Sequence, residues 1–179
     1  GVSRGLEFRR VLFRSHAEHP EVMMIPGRAP PDLFGNKAFR NGVRRLGELG
    51  YTYESWHYHY QLREFAELAR AAPDTTIILD HLGTPLGVGP YESRREEIFD
   101  CWRNYIEILA GCPNVVAKLG GLAMPDKGFG WHLAERPATS DELVEAQRRD
   151  YLHTIECVGP QRSMFPNNCP VDRLSVPHR

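Results

Sequence analysis

The stretch TTIILDHLGTPLG, residues 75–87, decides the fold class. A run of β-branched and aliphatic residues leads into the pair Asp80-His81, and a Gly-Thr-Pro turn follows. A strand this apolar is typical of a parallel sheet whose strands are buried on both faces. Its far end carries two side chains that can hold protons or metal ions, so we expect that end to be a functional surface.

Strand-like segments alternate with helix-like segments along the chain. Strands are predicted at residues 51–59, 75–81, 114–121 and 163–168. Helices are predicted at residues 36–49, 61–72, 93–110 and from Thr139 or Ser140 to about Cys157, from apolar spacing and capping residues. This alternation indicates parallel β-structure covered by helices.

Two α/β architectures have this order of elements: an open doubly wound sheet and part of a (β/α)₈ TIM barrel. No G-x-G-x-x-G follows a strand, so a dinucleotide-binding fold gets no support. Polar side chains instead follow the strand ends, where barrel enzymes carry their catalytic groups. These are His59, His81, Lys118 and Asp172. A full barrel takes about 250 residues, so we expect roughly the C-terminal half, with parallel strands 5–8.

Composition narrows the possible partners of this chain of 179 residues. A formal charge of −1 gives no electrostatic case for a nucleic-acid or anionic-membrane partner. No apolar run reaches the roughly 18 residues of a membrane span. Four cysteines without a C-x-x-C pair favour a reducing cytoplasm. We expect a small-molecule substrate, and the sequence leaves a homo-oligomer open.

The first 15 residues differ from the remainder. GVSRGLEFRRVLFRS has no start methionine and resembles a translated sequencing-adapter remnant. We therefore predict that residues 1–15 are a non-native segment, and that residues 16–179 are a partial barrel domain. Both ends of the chain suggest a fragment.

Several side chains could carry chemistry, and each has a structural alternative. His81 can bind a metal ion or substrate, or it can simply hydrogen-bond its loop. His57 and His59 share a strand face and could present two imidazoles to Zn²⁺, but this signal is weak because an aromatic strand end is a common packing feature. Asp172 can bind a divalent cation or take a proton from water, or it can cap a helix or pair with Arg173.

Two further candidates follow the strand at residues 114–121. Lys118 lies within an apolar strand, where a bare ammonium is costly to bury. It is expected either to pair with a carboxylate such as Asp80 or Asp172, or to bind a substrate carboxylate. His132 lies on a glycine-rich loop of the kind that closes over sites, although a lone loop histidine is usually solvated.

Three blocks together resemble the amidohydrolase-2 type of metal-dependent TIM-barrel hydrolases, in its lactonase-like branch. They are LGELGYTYESWHYHYQLREFAELARAAPDTTIILDHLGTPLGVGPY, CPNVVAKLGGLAMPDKGFGWH and GPQRSMFPNNCPVDRLS, in that order. The resemblance spans residues 33–175. It implies a divalent metal, Zn²⁺ or Mn²⁺, and a water or hydroxide that attacks an ester or amide carbonyl.

The resemblance also implies roles for individual residues. The residues Trp56, Tyr58, His59 and Gln61 match a W-x-Y-H-x-Q stretch after strand five, in which His59 is a metal ligand or substrate contact. His81 is placed in the site after strand six. Asp172, in the P-V-D block after strand eight, is the metal-binding carboxylate or general base.

The chain departs from the family pattern at three places. Pro166 lies in the strand-eight block, where a proline is poorly suited to a central strand. Tyr60 stands where a proline is common. The H-x-H or E-x-H stretch of strand one is missing, and His16 is the one candidate for a remnant of a strand-four motif.

These expectations favour a lactonase-like hydrolase of small cyclic esters, or of related C–O and C–N bonds, with low activity in this fragment. Two alternatives stay open. One is a decarboxylase of an unsaturated carboxylic acid on the same fold, and the other is a non-catalytic ligand-binding protein with a decayed site.

Overall fold

A computed structural model describes residues 10–14, 16–19, 22, 29–121, 123–166, 168 and 171–175. The described residues form one parallel sheet in which the strands follow one another in chain order. The strands are β1 (Arg10–Arg14), β2 (Thr52–Trp56), β3 (Ile77–Leu79), β4 (Val115–Lys118) and β5 (Ser163–Met164).

Four α-helices connect these strands. They are α1 (Lys37–Glu48), α2 (Leu62–Ala71), α3 (Arg95–Ala110) and α4 (Ser140–Val158). Side-chain caps determine where two of them begin. The Asn36 side chain accepts a hydrogen bond from the Phe39 amide, and Thr139 forms a reciprocal capping box with Glu142. The predicted helices are confirmed, with small differences at the ends.

The helices pack on one face of the sheet. Tyr53, Ile77 and Val115 are neighbours in register, and all three belong to the main hydrophobic core. All four helices contribute to this core, through residues that include Val43, Phe65, Trp102, Ile106 and Ile155. A doubly wound sheet carries helices on both faces, whereas a barrel carries them outside only. One-sided helices and sequential strand order confirm the prediction of a partial (β/α)₈ barrel.

The sheet has one strand more than the four that were predicted. Residues Arg10–Arg14, within the segment set aside as non-native, pair in parallel with β2. This strand was not predicted because the whole segment was set aside, and its apolar run is only three residues long, Val11 to Phe13. Residues 1–9 and 15 lie outside the described residues, and the non-native origin of this segment stays a prediction.

The alternate residues of each strand face away from the helices, towards what would be the barrel interior. On this inner face Glu54, Ile78 and Val116 form one row, and Trp56 and Lys118 belong to the next. The row nearest the carboxyl ends of the strands, with Trp56 and Lys118, is thus aromatic or charged, which places a site at that edge. Among the described helices none is long and apolar enough to cross a bilayer. The cytoplasmic location stays a prediction.

Candidate functional site

A buried ion cluster lies on the inner face at the carboxyl ends of β2, β3 and β4. The Lys118 ammonium contacts a carboxylate oxygen of Glu54, and its Nζ lies 3.5 Å from Oδ1 of Asp80. All three side chains are buried. The predicted pairing of Lys118 with Asp80 is therefore observed. The second carboxylate beside Lys118 is that of Glu54, and not that of Asp172, which the sequence analysis had considered. Charges buried this deeply are tolerated because they are paired.

His81 follows directly and lies in an unusual backbone turn. Positive φ angles occur at His81 (49°), Leu82 (61°), Gly83 (64°) and Thr84 (35°). A left-handed conformation is costly for residues other than glycine, and such strain persists only where the surroundings enforce it. Strained backbone of this kind is concentrated at functional sites.

Two buried tryptophans enforce this turn. The indole N–H of Trp102, in α3, donates to the Leu82 carbonyl over 2.7 Å. The indole N–H of Trp56 donates to Thr84 Oγ1 over 2.9 Å. Trp56, predicted to contact substrate, therefore uses its one donor to hold the turn, and only its ring remains for a substrate.

His81 is neutral at pH 7. Burial, followed by the charge of Lys127, lowers its pKa to about 4 against the opposing charge of Asp172. Its Nδ1 is buried and has no hydrogen-bond partner among the described residues, while Nε2 lies 3.9 Å from Asp80 Oδ1. A neutral imidazole with an unused ring nitrogen can bind a ligand or a metal ion.

Asp172 lies in the short turn Val171–Leu174 after β5. It accepts a hydrogen bond from the side chain of Asn168 over 2.9 Å. The negative charge of Asp172 acts to raise the pKa of His81 and also that of Lys127. The structure thus brings two predicted site residues, His81 and Asp172, into one electrostatic neighbourhood.

His59 occupies a different environment from the other predicted ligands. Its ring packs edge-on against Tyr60 and Tyr91, and Nδ1 accepts a hydrogen bond from the Leu86 amide over 3.4 Å. Burial, followed by the charge of Arg94, lowers its pKa to about 4. A neutral ring that accepts at Nδ1 carries its proton on Nε2. This arrangement does not support the prediction that His59 is a metal ligand.

The remaining predicted site residues lie in different parts of the structure. Gln61 accepts from the Tyr58 amide and donates to the His16 carbonyl, each over 3.1 Å, so its amide braces the loop after β2. The Tyr58 ring packs against Trp56 on the inner side. His132 lies in the loop after β4, and its buried Nδ1 has no hydrogen-bond partner among the described residues. Their contact with substrate stays a prediction.

His57 is buried on the helix side of the sheet. Its ring lies 4.4 Å from the Phe65 ring between centroids, and Nδ1 lies 3.1 Å from Ser55 Oγ. The H-x-H pair of His57 and His59 is therefore split between two environments, and the packing interpretation of His57 is the one the structure supports.

No group of three or more histidine, cysteine, aspartate or glutamate side chains could hold a metal ion among the described residues. The prediction that His59, His81 and Asp172 share one metal is therefore not supported by their arrangement. Lys118 gives part of the physical reason, because its ammonium already neutralises the carboxylates of Glu54 and Asp80.

Three site residues were missed by sequence reasoning. Glu54 could have been found, because it shares strand parity with Trp56 and a carboxylate on that face needs a partner. Asp126 and Lys127, in the loop after β4, are buried. Burial lowers the pKa of Lys127 to about 8, and its Nζ donates to Gln147 Oε1 over 2.9 Å. No local pattern marks these two residues as buried.

The sequence that forms this partial barrel also matches the model of a known protein family. The family model described as Amidohydrolase matches residues 7–179. The chain belongs to the amidohydrolase family. Among curated relatives, this amidohydrolase chain is 31% identical over 175 residues to the uncharacterized protein y4mH of Sinorhizobium fredii, with 97% of the chain and 48% of that protein covered.

A second relative carries a named activity. The chain is 26% identical over 138 residues to L-fucono-1,5-lactonase of Burkholderia multivorans, with 77% of the chain and 44% of that protein covered. The chain thus spans about half the length of the curated relatives it matches.

Solved structures show the same fold. An amidohydrolase from Burkholderia multivorans with bound HEPES superposes with a TM-score of 0.66 at 25% identity, covering 80% of this chain and 47% of that one. A second crystal form, with bound zinc, gives a TM-score of 0.67 at 24% identity, covering 82% and 47%.

Proposed function

We propose that the protein is a lactonase-like hydrolase of small cyclic esters, with its site at the carboxyl ends of β2–β5. The observation that carries this proposal is a neutral His81, held in a strained turn beside the Glu54–Lys118–Asp80 ion cluster and under the charge of Asp172. The lactonase relative of Burkholderia multivorans supports the choice of substrate.

The reaction needs a group that takes a proton from water. Water adds to the lactone carbonyl carbon, the ring C–O bond breaks, and the proton taken from water ends on the alcohol oxygen. Asp172 is the proposed acceptor of that proton, because a carboxylate near the carbonyl can act as a general base. His81, whose Nδ1 meets no hydrogen-bond partner in the described part of the chain, is proposed to hydrogen-bond the substrate or the attacking water.

The Glu54–Lys118–Asp80 cluster has a supporting electrostatic role in this proposal. Of the two roles predicted for Lys118, binding a substrate carboxylate is the less favoured, because its ammonium already contacts two carboxylates of the protein. A second anion would have to compete with them in a buried environment. We therefore propose that Lys118 stabilises the strand ends and the field around His81.

A divalent metal, Zn²⁺ or Mn²⁺, belongs to the prediction from the family resemblance, and a similar structure contains bound zinc. When bound, such a metal would polarise the carbonyl oxygen as a Lewis acid. The described residues do not complete a metal site. No step of the proposed reaction is therefore derived through a metal.

Ring opening of a lactone panel tests the proposal, with acid release followed by a pH indicator, before and after addition of Zn²⁺ or Mn²⁺. We expect Asp172→Asn to lower kcat by about 100-fold or more, because general-base catalysis contributes about 10² to 10⁴. Asp74→Asn, at an exposed position, is the matched control.

Two outcomes would contradict the proposal. Turnover by Asp172→Asn equal to that of the unsubstituted protein would remove Asp172 as the base. Release of carbon dioxide from an unsaturated carboxylic acid, without ring opening of any lactone, would favour the decarboxylase alternative instead.

A further inference from the structure

Asp126 is a buried acidic residue that the proposed reaction does not use. It lies in the turn Pro125–Lys127, which follows β4 at the same sheet edge as His81 and Tyr58. Only 2% of the residue is exposed to solvent. A carboxyl group is rarely buried this deeply without a partner, so its position needs a physical reason.

The backbone around Asp126 is held from three directions. The Gly87 amide, in the loop after β3, donates to the Asp126 carbonyl over 2.9 Å. Arg95, in α3, donates to the Lys127 carbonyl over 2.9 Å, and the Lys127 ammonium donates to Gln147 in α4. These contacts fix the position of the turn from which the Asp126 side chain extends.

The loop contact depends on a glycine pair. Gly128 has a φ of 74°, and a Cβ there would overlap the carbonyl of Gly87. Two backbones approach this closely only where neither carries a side chain. The loops after β3 and β4 are thus joined next to Asp126.

The carboxyl group of Asp126 lacks a partner within the described part of the chain. Its Oδ1 is buried and accepts no hydrogen bond there, and burial raises its pKa to about 6. The Asp126 carboxylate lies close enough to Tyr58 for its charge to act there: the pKa of Tyr58 is raised first by burial and then by the charge of Asp126. An unsatisfied buried oxygen in a native protein commonly marks a place for water or a ligand.

Aromatic and apolar side chains pack together around Tyr58, the residue on which the charge of Asp126 acts. Trp56 and Tyr58 from the end of β2, Leu86 from the loop after β3 and Met124 from the loop after β4 form one cluster. A carboxyl group beside aromatic rings suits a ring-shaped ligand that carries hydroxyl groups, because the rings pack on its C–H surface and the carboxylate accepts from its O–H groups.

We propose that Asp126 is a specificity-determining residue that accepts a hydrogen bond from a substrate hydroxyl beside Tyr58, and that it disfavours substrates carrying a carboxylate at this place. The inference rests on the proposed function and deepens it, because it selects uncharged, hydroxylated lactones as the substrate class. Repulsion between two buried carboxylates provides the discrimination.

Binding of D-glucono-1,5-lactam tests this role without turnover, because a lactam keeps the hydroxyl groups but resists ring opening. Titration calorimetry on the full chain should show binding that Asp126→Leu weakens about tenfold or more. Asp126→Asn, which retains an acceptor oxygen, should keep most of the affinity for the lactam. The control Asp141→Asn, at an exposed position in the first turn of α4, should bind normally.

Charge discrimination gives a second readout. Asp126→Asn should strengthen binding of 5-oxotetrahydrofuran-3-carboxylate, a carboxylated lactone, relative to the lactam. Both variants should melt at the same or a higher temperature, because they remove a buried carboxyl group for which the described residues provide no hydrogen-bond donor. Loss of lactam binding without loss of stability is not expected of a purely structural residue.

The outcomes separate this inference from the proposed function. Lactam binding without ring opening of any lactone would contradict the hydrolase proposal, and Asp126 would then be judged on binding alone. The inference is overturned if the unsubstituted chain does not bind the lactam, or if Asp126→Leu binds it as well as the unsubstituted chain does.

Discussion

Lys118 illustrates how a single residue determines what the site can bind. Its ammonium lies between two carboxylates, Glu54 in β2 and Asp80 directly after β3. Without it, two negative charges would face each other in a buried environment. The residue is therefore better understood as a fixed internal cation than as a binding group for substrate.

Replacing Lys118 by methionine should destabilise the protein by about 3 to 5 kcal/mol, because breaking a buried ion pair leaves an uncompensated charge. The free energy of unfolding in urea measures this effect. Lys37→Met, at an exposed position in α1, should change it by less than about 0.5 kcal/mol. Equal stability of the two variants would contradict the role of the cluster.

Sequence patterns predicted which residues lie at the strand ends better than they predicted the contacts that hold those residues in place. The position of His81 at a strand end follows from the apolar run before it. Its left-handed turn does not, because His81, Leu82 and Thr84 all prefer other backbone angles when no tertiary contact acts on them. Hydrogen bonds from two distant tryptophans impose the turn, and sequence spacing does not reveal such contacts.

At the scale of elements, the helices were the most predictable part of the chain. The helix predicted at residues 36–49 is observed at Lys37–Glu48. The strands are shorter than predicted: the strand predicted at residues 75–81 spans only Ile77–Leu79 in the structure. Apolar character continues beyond the point where the backbone leaves the sheet to form the site.

The contact between the loops after β3 and β4 is open to a direct test. Gly128→Ala should cost about 1 to 2 kcal/mol for its positive φ, and more for the overlap with Gly87, because a backbone carbonyl cannot move aside cheaply. Gly130→Ala is the matched control, since its φ of 71° is similar and no atom lies within 4 Å of the added Cβ. Equal unfolding free energies for the two variants would show that the contact is unimportant.

At the scale of the whole molecule, three buried histidines make stability depend on pH. Burial is the main cause that lowers the pKa of His57 to about 3, and of His59 and His81 to about 4. The unfolded chain binds protons to these groups from about pH 6.5 downward, while the folded protein does not. Their contribution to stability is therefore present above pH 6.5 and is lost as the pH falls towards 4.

Between pH 7 and pH 5 each histidine should cost about 2 kcal/mol of unfolding free energy. Asp126 opposes this trend more weakly, because burial raises its pKa to about 6 and its protonation favours the folded state. His57→Phe should remove about a third of the histidine effect, since His57 already packs against Phe34 and Phe65. Urea unfolding at both pH values measures it, and a stability that does not change with pH would refute this account.

The sheet order also bears on assembly. In the described sheet β1 and β5 each pair with one strand, and Phe165, next to β5, is 74% exposed. Edge strands of this kind can pair with other chains. The homo-oligomer that the sequence left open remains a proposal, for which sedimentation of the purified chain at several concentrations is the direct measurement.

The glycine pair has a consequence for engineering. Gly87 and Gly128 belong to segments that are far apart in the chain but meet backbone to backbone. A designer who grafts one of these segments from a related enzyme would bring in a surface shaped for a different counterpart. New selectivity is therefore more accessible by exchanging both segments as a unit, and libraries that diversify only one of them should yield mostly poorly folded products.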